Sequence, residues 1–519
     1  MKRFLRILLS KTFAFAVMAI FQIAFFVVLV YLFASTGAVA YTILTVITVL
    51  VLVTILEKDD LNPAYKLMWL MIVTLMPLFG ALFYLLWGHR HVPRRVRRRL
   101  NAIEEHAASA LQQREHILPV LKNYSRRLAH TAQYLLNYAN SPVYSNTDVE
   151  YYSIGERFFE PYLEALRGAE KFIFLEYFIC EKGLMWGSIL KILREKAAQG
   201  VDVRVIYDGV GSLFTLPGDY DKTLQSYGIQ CRIFSPLTFT LHVSNYAMLN
   251  HRDHRKITVI DGETAFSGGL NLADEYINAK KKYGVWKDTA FRLRGEAVFS
   301  ITVAFLKTWD FLADTKTDYE SYRLPEAPLQ TPAGIVRQGL VQPYFDSPLD
   351  NENVSENAYL RVISCSRDYV FISTPYLILD HEMITNLTLA AKSGIDVRIL
   401  TPAIPDKRLV FILTQSYYAT LIRDGVRIYE YTPGFNHAKM YVCDDKIAIV
   451  GSANMDYRSL YLHFENCVGF YGGQVVRDAK QDMLDSFALA HEVTLEETSH
   501  VALWKRLVRV IARFLAPML

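Results

Sequence analysis

Two short segments of the chain repeat one arrangement of reactive side chains: a histidine, a lysine two residues later and an aspartate five residues after that. The two copies are His254, Lys256, Asp261 and His437, Lys439, Asp444. Residues two apart on a β-strand project from the same face. Because the lysine ammonium repels cations, each pair favours an anion over a metal ion. The repeated pair therefore predicts a phosphate-binding site.

Two histidines that face one phosphate suit displacement at a phosphodiester. One imidazole can attack phosphorus while the other protonates the leaving alkoxide and then acts as a base. The two lysines would bind the non-bridging oxygens and offset the charge of the transition state. Asp261 and Asp444 are predicted to fix the imidazole tautomers. The sequence leaves open which histidine each aspartate touches and which histidine is the nucleophile, and no step requires a metal ion or another cofactor.

Each motif is followed, after six intervening residues, by a glycine, a second small residue and an asparagine. These residues are Gly268, Gly269, Asn271 and Gly451, Ser452, Asn454. The side chains of Asn271, Ser452 and Asn454 are predicted to hydrogen-bond to the phosphate oxygens. Gly269 stands where the second copy has Ser452, so only the second copy offers a hydroxyl group.

Other interpretations of the motif residues exist. A metal site formed by His251 and His254 is one alternative, but no cysteine or carboxylate cluster completes it. His251 is expected instead at the rim of the cleft. Both motif aspartates precede a turn-forming residue, so they also fit ordinary turn chemistry.

The strings around the motifs are also duplicated. Apolar strands are predicted at "KFIFLEYFIC" and "YVFISTPYLI", followed by helical stretches that lead into "AAQGVDVRVIYD" and "AAKSGIDVRILTP", and by further strands at "GIQCRIF" and "GVRIYEY". Alternating strands and helices predict an α/β fold with buried strands. Two copies predict two similar lobes, packed as a pseudo-twofold pair with the site between them.

Three apolar runs precede the duplicated part, at residues 12–33, 39–56 and 67–87. A helix of about 20 apolar residues can cross a bilayer, so these runs predict a transmembrane segment of two or three helices. A cleavable signal peptide is the alternative for the first run. The arginine-rich stretch at residues 90–99 predicts that the large C-terminal part is cytoplasmic.

The chain divides into five predicted parts. They are a transmembrane segment (1–90), a helical connector (91–140), a first lobe (141–335), a second lobe (336–500) and an amphipathic C-terminal helix (501–519). In the last part, apolar residues from Trp504 onward share one helical face and basic residues surround the other, which suits an anionic membrane surface. An ordinary terminal helix packed on its own lobe is the alternative.

Composition narrows the class of protein. A hydrophobic content of 52% over 519 residues suits a membrane-attached enzyme, and a net charge of +4 gives no general signature of nucleic-acid binding. The five cysteines are scattered and form no C-x-x-C pair, so a disulfide framework is not expected.

The strings "NHRDHRKITVIDGETAFSGGLNLADEY" and "GFNHAKMYVCDDKIAIVGSANMDYRSLYLHFE" resemble the paired motifs of the phospholipase D superfamily. With "NPAYKLMWLMIVTLMPLFGALFYLLWG", "TPYLILD" and the terminal "APML", nearly the whole chain resembles the bacterial cardiolipin synthases. The resemblance implies transfer of a phosphatidyl group from one phosphatidylglycerol to another through a phosphatidyl-histidine, with release of glycerol. It implies Glu275 and Glu465 as supporting site residues, anionic membrane lipids as partners and a multi-pass location in the cell membrane.

Three rival functions use the same residues differently or not at all. A hydrolytic phospholipase D, or another phosphatidyltransferase of the superfamily, would share every catalytic residue and differ in the acceptor. A nuclease of the superfamily fits poorly with the apolar N-terminal runs and the lack of a broad basic stripe. A membrane scaffold that only binds anionic lipid would not need the histidines.

Overall fold

The computed structural model describes residues 17–18, 20–25, 27–28, 37–58, 62–88, 94–236, 250–325, 328, 330–499 and 501–518. The described chain forms a smaller N-terminal unit and a larger unit that begins at Arg94. The larger unit contains both sequence motifs.

The N-terminal unit is helical. Its elements are α1 (Gly37–Leu56), α2 (Pro63–Leu75), α3 (Pro77–Phe83) and a π-helical turn (Tyr84–Gly88). The side chain of Asn62 caps α2 by accepting a hydrogen bond from the Ala64 amide, and Pro77 starts a new helix where α2 ends. The predicted run at 67–87 is therefore interrupted at Met76.

The helices of the described residues bear on the predicted transmembrane segment. Among the residues that the structure describes, no helix combines the length and the apolar character that crossing a bilayer requires. Most of the first apolar run, 12–33, lies outside the described residues. The number of membrane crossings stays a prediction.

Three helices lead into the larger unit: α4 (Arg94–Ala110), α5 (Ile117–Tyr124) and α6 (Arg126–Ala139). Ser125 caps α6 by accepting a hydrogen bond from the Leu128 amide. Asn140, in the left-handed conformation with φ 47°, ends the helix. The helical pattern predicted for this stretch is present.

The first sheet has seven strands. They are β1 (Thr147–Tyr152), β2 (Phe172–Tyr177), β3 (Asp202–Asp208), β4 (Gln230–Phe234), β6 (Lys256–Ile260), β7 (Thr264–Gly268) and β9 (Ala290–Gly295). Two short strands, β5 (Arg252–Asp253) and β8 (Val285–Lys287), lie between these in the chain. The accompanying helices are α7 (Gly155–Arg167), α8 (Leu184–Ala198), α9 (Tyr220–Ser226), α10 (Val298–Ala313) and the 3-10 turns Asp274–Ile277 and Tyr319–Tyr322.

The second sheet follows the same plan. Its main strands are β10 (Leu340–Asp346), β11 (Tyr369–Ser373), β12 (Asp396–Pro402), β13 (Arg427–Tyr431), β15 (Met440–Cys443), β16 (Ile447–Gly451), β17 (His463–Tyr471) and β18 (Ala490–Glu492), with the short β14 (Gly434–Asn436) between β13 and β15. The helices are α11 (Pro332–Gln338), α12 (Val354–Cys365), α13 (His381–Lys392), α14 (Arg408–Arg423), α15 (Tyr457–Tyr461), α16 (Gly473–Ala488), α17 (Leu495–Ser499) and α18 (Leu503–Leu515), and a 3-10 turn spans Ala516–Met518.

Strand order shows the duplication. The first sheet runs β1-β9-β7-β6-β2-β3-β4, and the second runs β10-β17-β16-β15-β11-β12-β13 before adding β18. In each, three consecutive strands are parallel and the others antiparallel. The predicted α/β fold with two similar lobes is confirmed.

The two lobes share one hydrophobic core. A single cluster of buried residues draws on both sheets and on α10. Phe291 of β9 and Phe470 of β17, both members of this cluster, meet edge to face across the two sheets, with ring centroids 5.3 Å apart. Because aromatic burial of this kind contributes several kcal/mol, we expect the lobes to be stable as a pair.

The lobes also exchange short strands. β5 of the first lobe pairs in parallel with the start of β17 in the second. β14 of the second lobe pairs in parallel with β8 in the first. These exchanged strands lead directly into the two motifs.

Candidate active site

Each motif histidine follows an exchanged strand. The His254 amide donates to the Phe464 carbonyl at 2.9 Å, and the His437 amide donates to the Lys287 carbonyl at 2.7 Å. Both histidines therefore lie at the junction between the lobes, rather than within a regular strand as the spacing predicted. Lys256 begins β6 and Lys439 directly precedes β15, so each lysine enters its own sheet.

A buried carboxylate from the opposite lobe holds each imidazole. Nδ1 of His254 lies 2.9 Å from Oε2 of Glu465, and Nδ1 of His437 lies 2.6 Å from Oδ2 of Asp288. Neither carboxylate side chain is exposed to solvent. A proton on Nδ1 that is shared with a carboxylate leaves the lone pair on Nε2, which can then act as nucleophile or base.

The two carboxylates occupy equivalent positions in the lobes. In the strand ladders, Gly268 lies opposite Ala290 and Gly451 lies opposite Cys467. Each carboxylate lies two residues before the second member of its pair. Asp288 is the site residue that the sequence analysis missed, because it lies outside the motif spacing; only the register of the duplicated strands identifies it.

Asp261 and Asp444 do not hold the imidazoles, so that prediction is wrong. Both have positive φ, 54° and 52°, in the turns after β6 and β15. Their carboxylates accept three backbone hydrogen bonds each, at 2.7–3.0 Å, from the amides of Glu170, Lys171, Phe172 and of Arg367, Asp368, Tyr369. The reason is distance: β6 has five residues, so Asp261 lies about 16 Å from the first residue of the strand. Both aspartates therefore have the structural role in a turn that the sequence analysis gave as the alternative.

The two motif lysines are buried beside the histidines. Both have 1% exposure. The Lys439 ammonium lies 2.7 Å from Nδ1 and 3.0 Å from Nε2 of His437, and each lysine also donates to the carbonyl of its motif histidine. An oxygen bound by such an ammonium would sit next to the nitrogen that attacks phosphorus.

Burial lowers the pKa of both lysines. The pKa of Lys256 falls to about 7, with Glu465 opposing the shift and the Lys439 charge from the other lobe contributing to it. The pKa of Lys439 falls to about 8, and here Asp288 is the main opposing group. The two lysines therefore act on one electrostatic site, and an anion bound between them would favour their charged forms.

Both motif histidines are neutral near pH 7. Burial, above all, lowers the pKa of His254 to about 4 against the opposing effect of Glu465, and the lysines of both lobes contribute. Burial and then Lys439 lower the pKa of His437 to about 4, against Asp288. A neutral imidazole has the lone pair that nucleophilic attack requires.

The supporting carboxylates are anions. Burial raises the pKa of Asp288, but Lys439 and His437 outweigh it and the net pKa is lowered. Burial likewise opposes ionisation of Glu465, and His254 overcomes it, so the pKa lies well below the usual range.

Ser452 and Gly269 differ because their neighbouring carboxylates differ. The Ser452 hydroxyl donates to Oε2 of Glu465 rather than standing free for a phosphate oxygen. A Cβ atom on Gly269 would lie 2.1 Å from Oδ1 of Asp288. The first lobe therefore needs glycine where the second uses a serine to hold the carboxylate.

The motif asparagines make local hydrogen bonds. Asn271 accepts from the Ile179 amide at 3.1 Å and donates to the Tyr276 hydroxyl at 2.7 Å. Asn454 donates to Asp456 at 3.0 Å, while its buried side-chain oxygen has no hydrogen-bond partner among the described residues. Direct phosphate contacts from either asparagine stay predictions.

Glu275 lies apart from the imidazoles. Its carboxylate pairs with Lys282 at 3.2 Å, on the 3-10 turn that also carries Tyr276. The tyrosine is the member of this turn that approaches the site, with its ring 5.5 Å from that of His437. Of the two acidic residues that the resemblance implied, only Glu465 contacts a motif histidine.

Among the residues that the structure describes, one group could hold a metal ion. His254, His463 and Glu465 place ligand atoms within 4.8 Å of one another. The same region contains the Lys256 and Lys439 ammonium groups, whose positive charge opposes binding of a cation. His251, the other histidine considered as a ligand, is buried instead of lining the rim, and its Nδ1 lies 3.2 Å from the Leu462 carbonyl.

Comparisons with known proteins agree with this geometry. The family model described as "Cardiolipin synthase, PLD-like domain" matches residues 162–302 and 359–486, one segment in each lobe. A second model, "Phospholipase_D-nuclease N-terminal", matches residues 43–89.

Relatives extend the match to nearly the full chain. A cardiolipin synthase of Halalkalibacterium halodurans is 33% identical over 92% of this chain and 94% of its own. An uncharacterised protein of Streptococcus mutans is 44% identical over 89% of this chain and 98% of its own. The fold resembles that of the phosphatidylserine synthase of Haemophilus influenzae, with a TM-score of 0.56 and 16% identity over 75% of this chain and 97% of the other. The chain belongs to the cardiolipin synthase family of phospholipase D-like proteins.

Proposed function

We propose that the protein transfers a phosphatidyl group from one phosphatidylglycerol to a hydroxyl group of a second, which gives cardiolipin and glycerol. The observation that carries the proposal is the exchange of imidazole–carboxylate pairs between the lobes, His254 with Glu465 and His437 with Asp288. It supplies two oriented imidazoles beside two lysines. Relatives named cardiolipin synthase, matched over most of their length, support the choice of acceptor.

In the first step, Nε2 of one imidazole attacks phosphorus. The bond from phosphorus to the glycerol oxygen breaks, and the second histidine, as an imidazolium, gives its proton to the leaving alkoxide. This requires a proton on a histidine whose pKa is about 4 in the unliganded site. The bound phosphodiester anion raises the pKa of a neighbouring imidazole and so favours that proton.

In the second step, the now neutral second histidine takes the proton of a hydroxyl group on the incoming phosphatidylglycerol. The resulting oxygen attacks phosphorus, and the bond from phosphorus to Nε2 breaks. Cardiolipin leaves and both imidazoles return to their starting states. Lys256 and Lys439 bind the non-bridging oxygens in both steps.

The test uses the purified full chain with phosphatidylglycerol vesicles. We expect cardiolipin and glycerol in equal amounts, and loss of at least about a thousandfold of activity in His254→Ala and in His437→Ala. His491→Ala is the matched control, because His491 is exposed and pairs with Glu497 at the surface, 2.9 Å away. Phosphatidate as the main product would identify a hydrolase, and full activity of either motif variant would contradict the two-histidine mechanism.

We also propose that residues 1–90 attach the chain to the cell membrane through more than one span, with the lobes on the cytoplasmic side. The apolar runs of the sequence and the arginines at residues 94–99 support this placement. We propose the same division for the rest of the chain as the sequence analysis predicts. It consists of a connector at 91–140, lobes at 141–335 and 336–500 and a terminal helix at 501–519.

A further inference from the structure

The C-terminal helix α18 is attached to the second lobe by one side only. Ala512 is buried with 3% exposure. Arg513 donates to the Ser416 hydroxyl at 2.9 Å and lies over the Tyr417 ring, 4.6 Å from its centroid. Both partners belong to α14, so the C-terminal half of α18 is fixed to that helix. The packing predicted by the terminal-helix alternative is therefore present.

The other side of α18 exposes an apolar stripe. Leu503, Trp504, Leu507, Val510 and Ile511 have exposures between 51% and 81%. The spacing of Leu503, Leu507 and Ile511 places them on successive turns of one helical face. Apolar side chains elsewhere on the surface need no explanation when they occur singly, but this stripe is continuous along the helix.

Charge on α18 is of one sign. Lys505, Arg506, Arg509 and Arg513 lie on the side of the helix away from the apolar stripe, and the helix sequence LWKRLVRVIARFL contains no acidic residue. An anionic surface with an apolar interior satisfies both features at once.

We propose that α18 docks lengthwise on an anionic phospholipid bilayer, with Leu503, Leu507 and Ile511 in the interface and the charges of Lys505 and Arg506 above them, within electrostatic reach of the lipid phosphates. The helix has 13 residues, about 20 Å, which is too short to cross a bilayer but is sufficient to lie along its surface. Docking does not depend on the transfer chemistry proposed above.

The docking helix is connected to the active site through its support. α14 begins two residues after Asp406, which accepts a hydrogen bond from Tyr376 at 2.7 Å. Tyr376 packs against the buried cluster that includes Tyr276, whose ring lies 5.5 Å from that of His437. A helix docked on lipid would thus hold the site close to the membrane from which its substrate comes.

A local probe on the full chain tests the proposal. Because all five native cysteines are buried, a Val510→Cys variant can be labelled selectively with an environment-sensitive fluorophore. The labelled chain is then reconstituted in vesicles of phosphatidylglycerol or of phosphatidylcholine that carry a lipid-bound quencher. Leu389→Cys, 61% exposed on α13, is the matched control.

We expect quenching of the label at residue 510 by the lipid in phosphatidylglycerol vesicles, at least about fivefold stronger than in phosphatidylcholine, and little quenching at residue 389. The paired substitution Lys505→Glu, Arg506→Glu should weaken that quenching about tenfold or more. The control substitution Arg157→Glu, Lys191→Glu makes the same change of charge at exposed residues of α7 and α8. It should leave the quenching at residue 510 unchanged.

This experiment distinguishes a failure of membrane docking by α18 from a failure of the proposed transfer reaction. A label at residue 510 that stays open to an aqueous quencher in both vesicle types overturns docking, whatever the activity. Protection that depends on protein concentration and not on lipid charge also overturns it, because it indicates a second copy of the chain. If Lys505→Glu, Arg506→Glu loses transfer on vesicles but keeps it in detergent micelles, docking is supported and the chemistry is intact.

Discussion

His254 and His437 are each held by a carboxylate of the opposite lobe. Each Nδ1 meets a buried carboxylate, and each imidazole is kept neutral by burial together with the lysine charges. The carboxylate of Glu465 also accepts a hydrogen bond from the Ser452 hydroxyl, whereas that of Asp288 accepts one from the Thr289 amide at 2.8 Å. The two sites are therefore equivalent in position and different in support.

The pair of acidic residues gives a direct test of the site geometry. We expect Asp288→Asn to lower kcat by about a hundredfold with little change in KM, because the amide cannot stabilise the imidazolium that forms during the reaction. Glu275→Gln is the comparison, since Glu275 pairs with Lys282 rather than with a histidine. Steady-state kinetics of both variants check the prediction, and an equal loss in the two would contradict the assignment of Asp288.

Strands and turns, rather than motif spacing, decided which predicted residues meet. The duplicated histidines and lysines could be identified from sequence because their chemistry and spacing repeat. Asp261 and Asp444 were assigned wrongly because the spacing H-x-K-x4-D spans a whole strand, so its last member lies at the far end. Their carboxylates instead tie the turn to the start of the neighbouring strand.

Asp288 could not be found from one sequence. Its identity depends on two facts of folding: β9 pairs with β7 in the same register in which β17 pairs with β16, and the short strands before the motifs cross to the other lobe. Local pattern predicts strands, but pairing between strands far apart in the chain is set by the complete fold. The α/β class and the duplication were predictable because they depend on local periodicity.

β10 carries an acidic residue whose ionisation opposes folding. Asp346, at the end of β10, lies opposite Glu465 and accepts a hydrogen bond from the Ser355 amide at 2.7 Å. Burial raises the pKa of Asp346 to about 8, whereas an Asp in the unfolded chain titrates near 3.9. Between about pH 4 and pH 8 the folded state keeps a proton that the unfolded state releases, so this residue's contribution to stability falls as pH rises.

Replacement of Asp346 by its neutral isostere should remove that loss. We expect the Tm of Asp346→Asn, relative to the original chain, to increase from pH 5 to about pH 8, the pKa of Asp346 in the fold, and to level off above it. Thermal unfolding at unit pH intervals measures the difference, with Asp485→Asn, an exposed substitution of the same type on α16, as control. A difference that is constant with pH, or that declines, would show that Asp346 is ionised in the fold.

At the scale of the whole molecule, the site is a property of two lobes in one chain. The shared core around Phe291 and Phe470 joins the sheets, and the exchanged strands position each histidine with main-chain bonds from the other lobe. Neither lobe contains a complete imidazole–carboxylate pair. A lone lobe would thus have a histidine without its carboxylate and a carboxylate without its histidine.

This arrangement predicts the result of mixing two inactive variants. If both imidazoles that act on one phosphate come from one chain, co-expressed His254→Ala and His437→Ala chains cannot combine into an active site, and transfer should stay at the level of each variant alone. A site built between chains would instead recover roughly a quarter of the original activity, because random dimers would restore one of two sites in half of the pairs. The co-expressed chains, purified as a mixture through a common tag and assayed on phosphatidylglycerol micelles, make the measurement. Mixed original and His254→Ala chains give the reference for dilution, and activity above that of either variant alone would show that the lobes exchange between molecules.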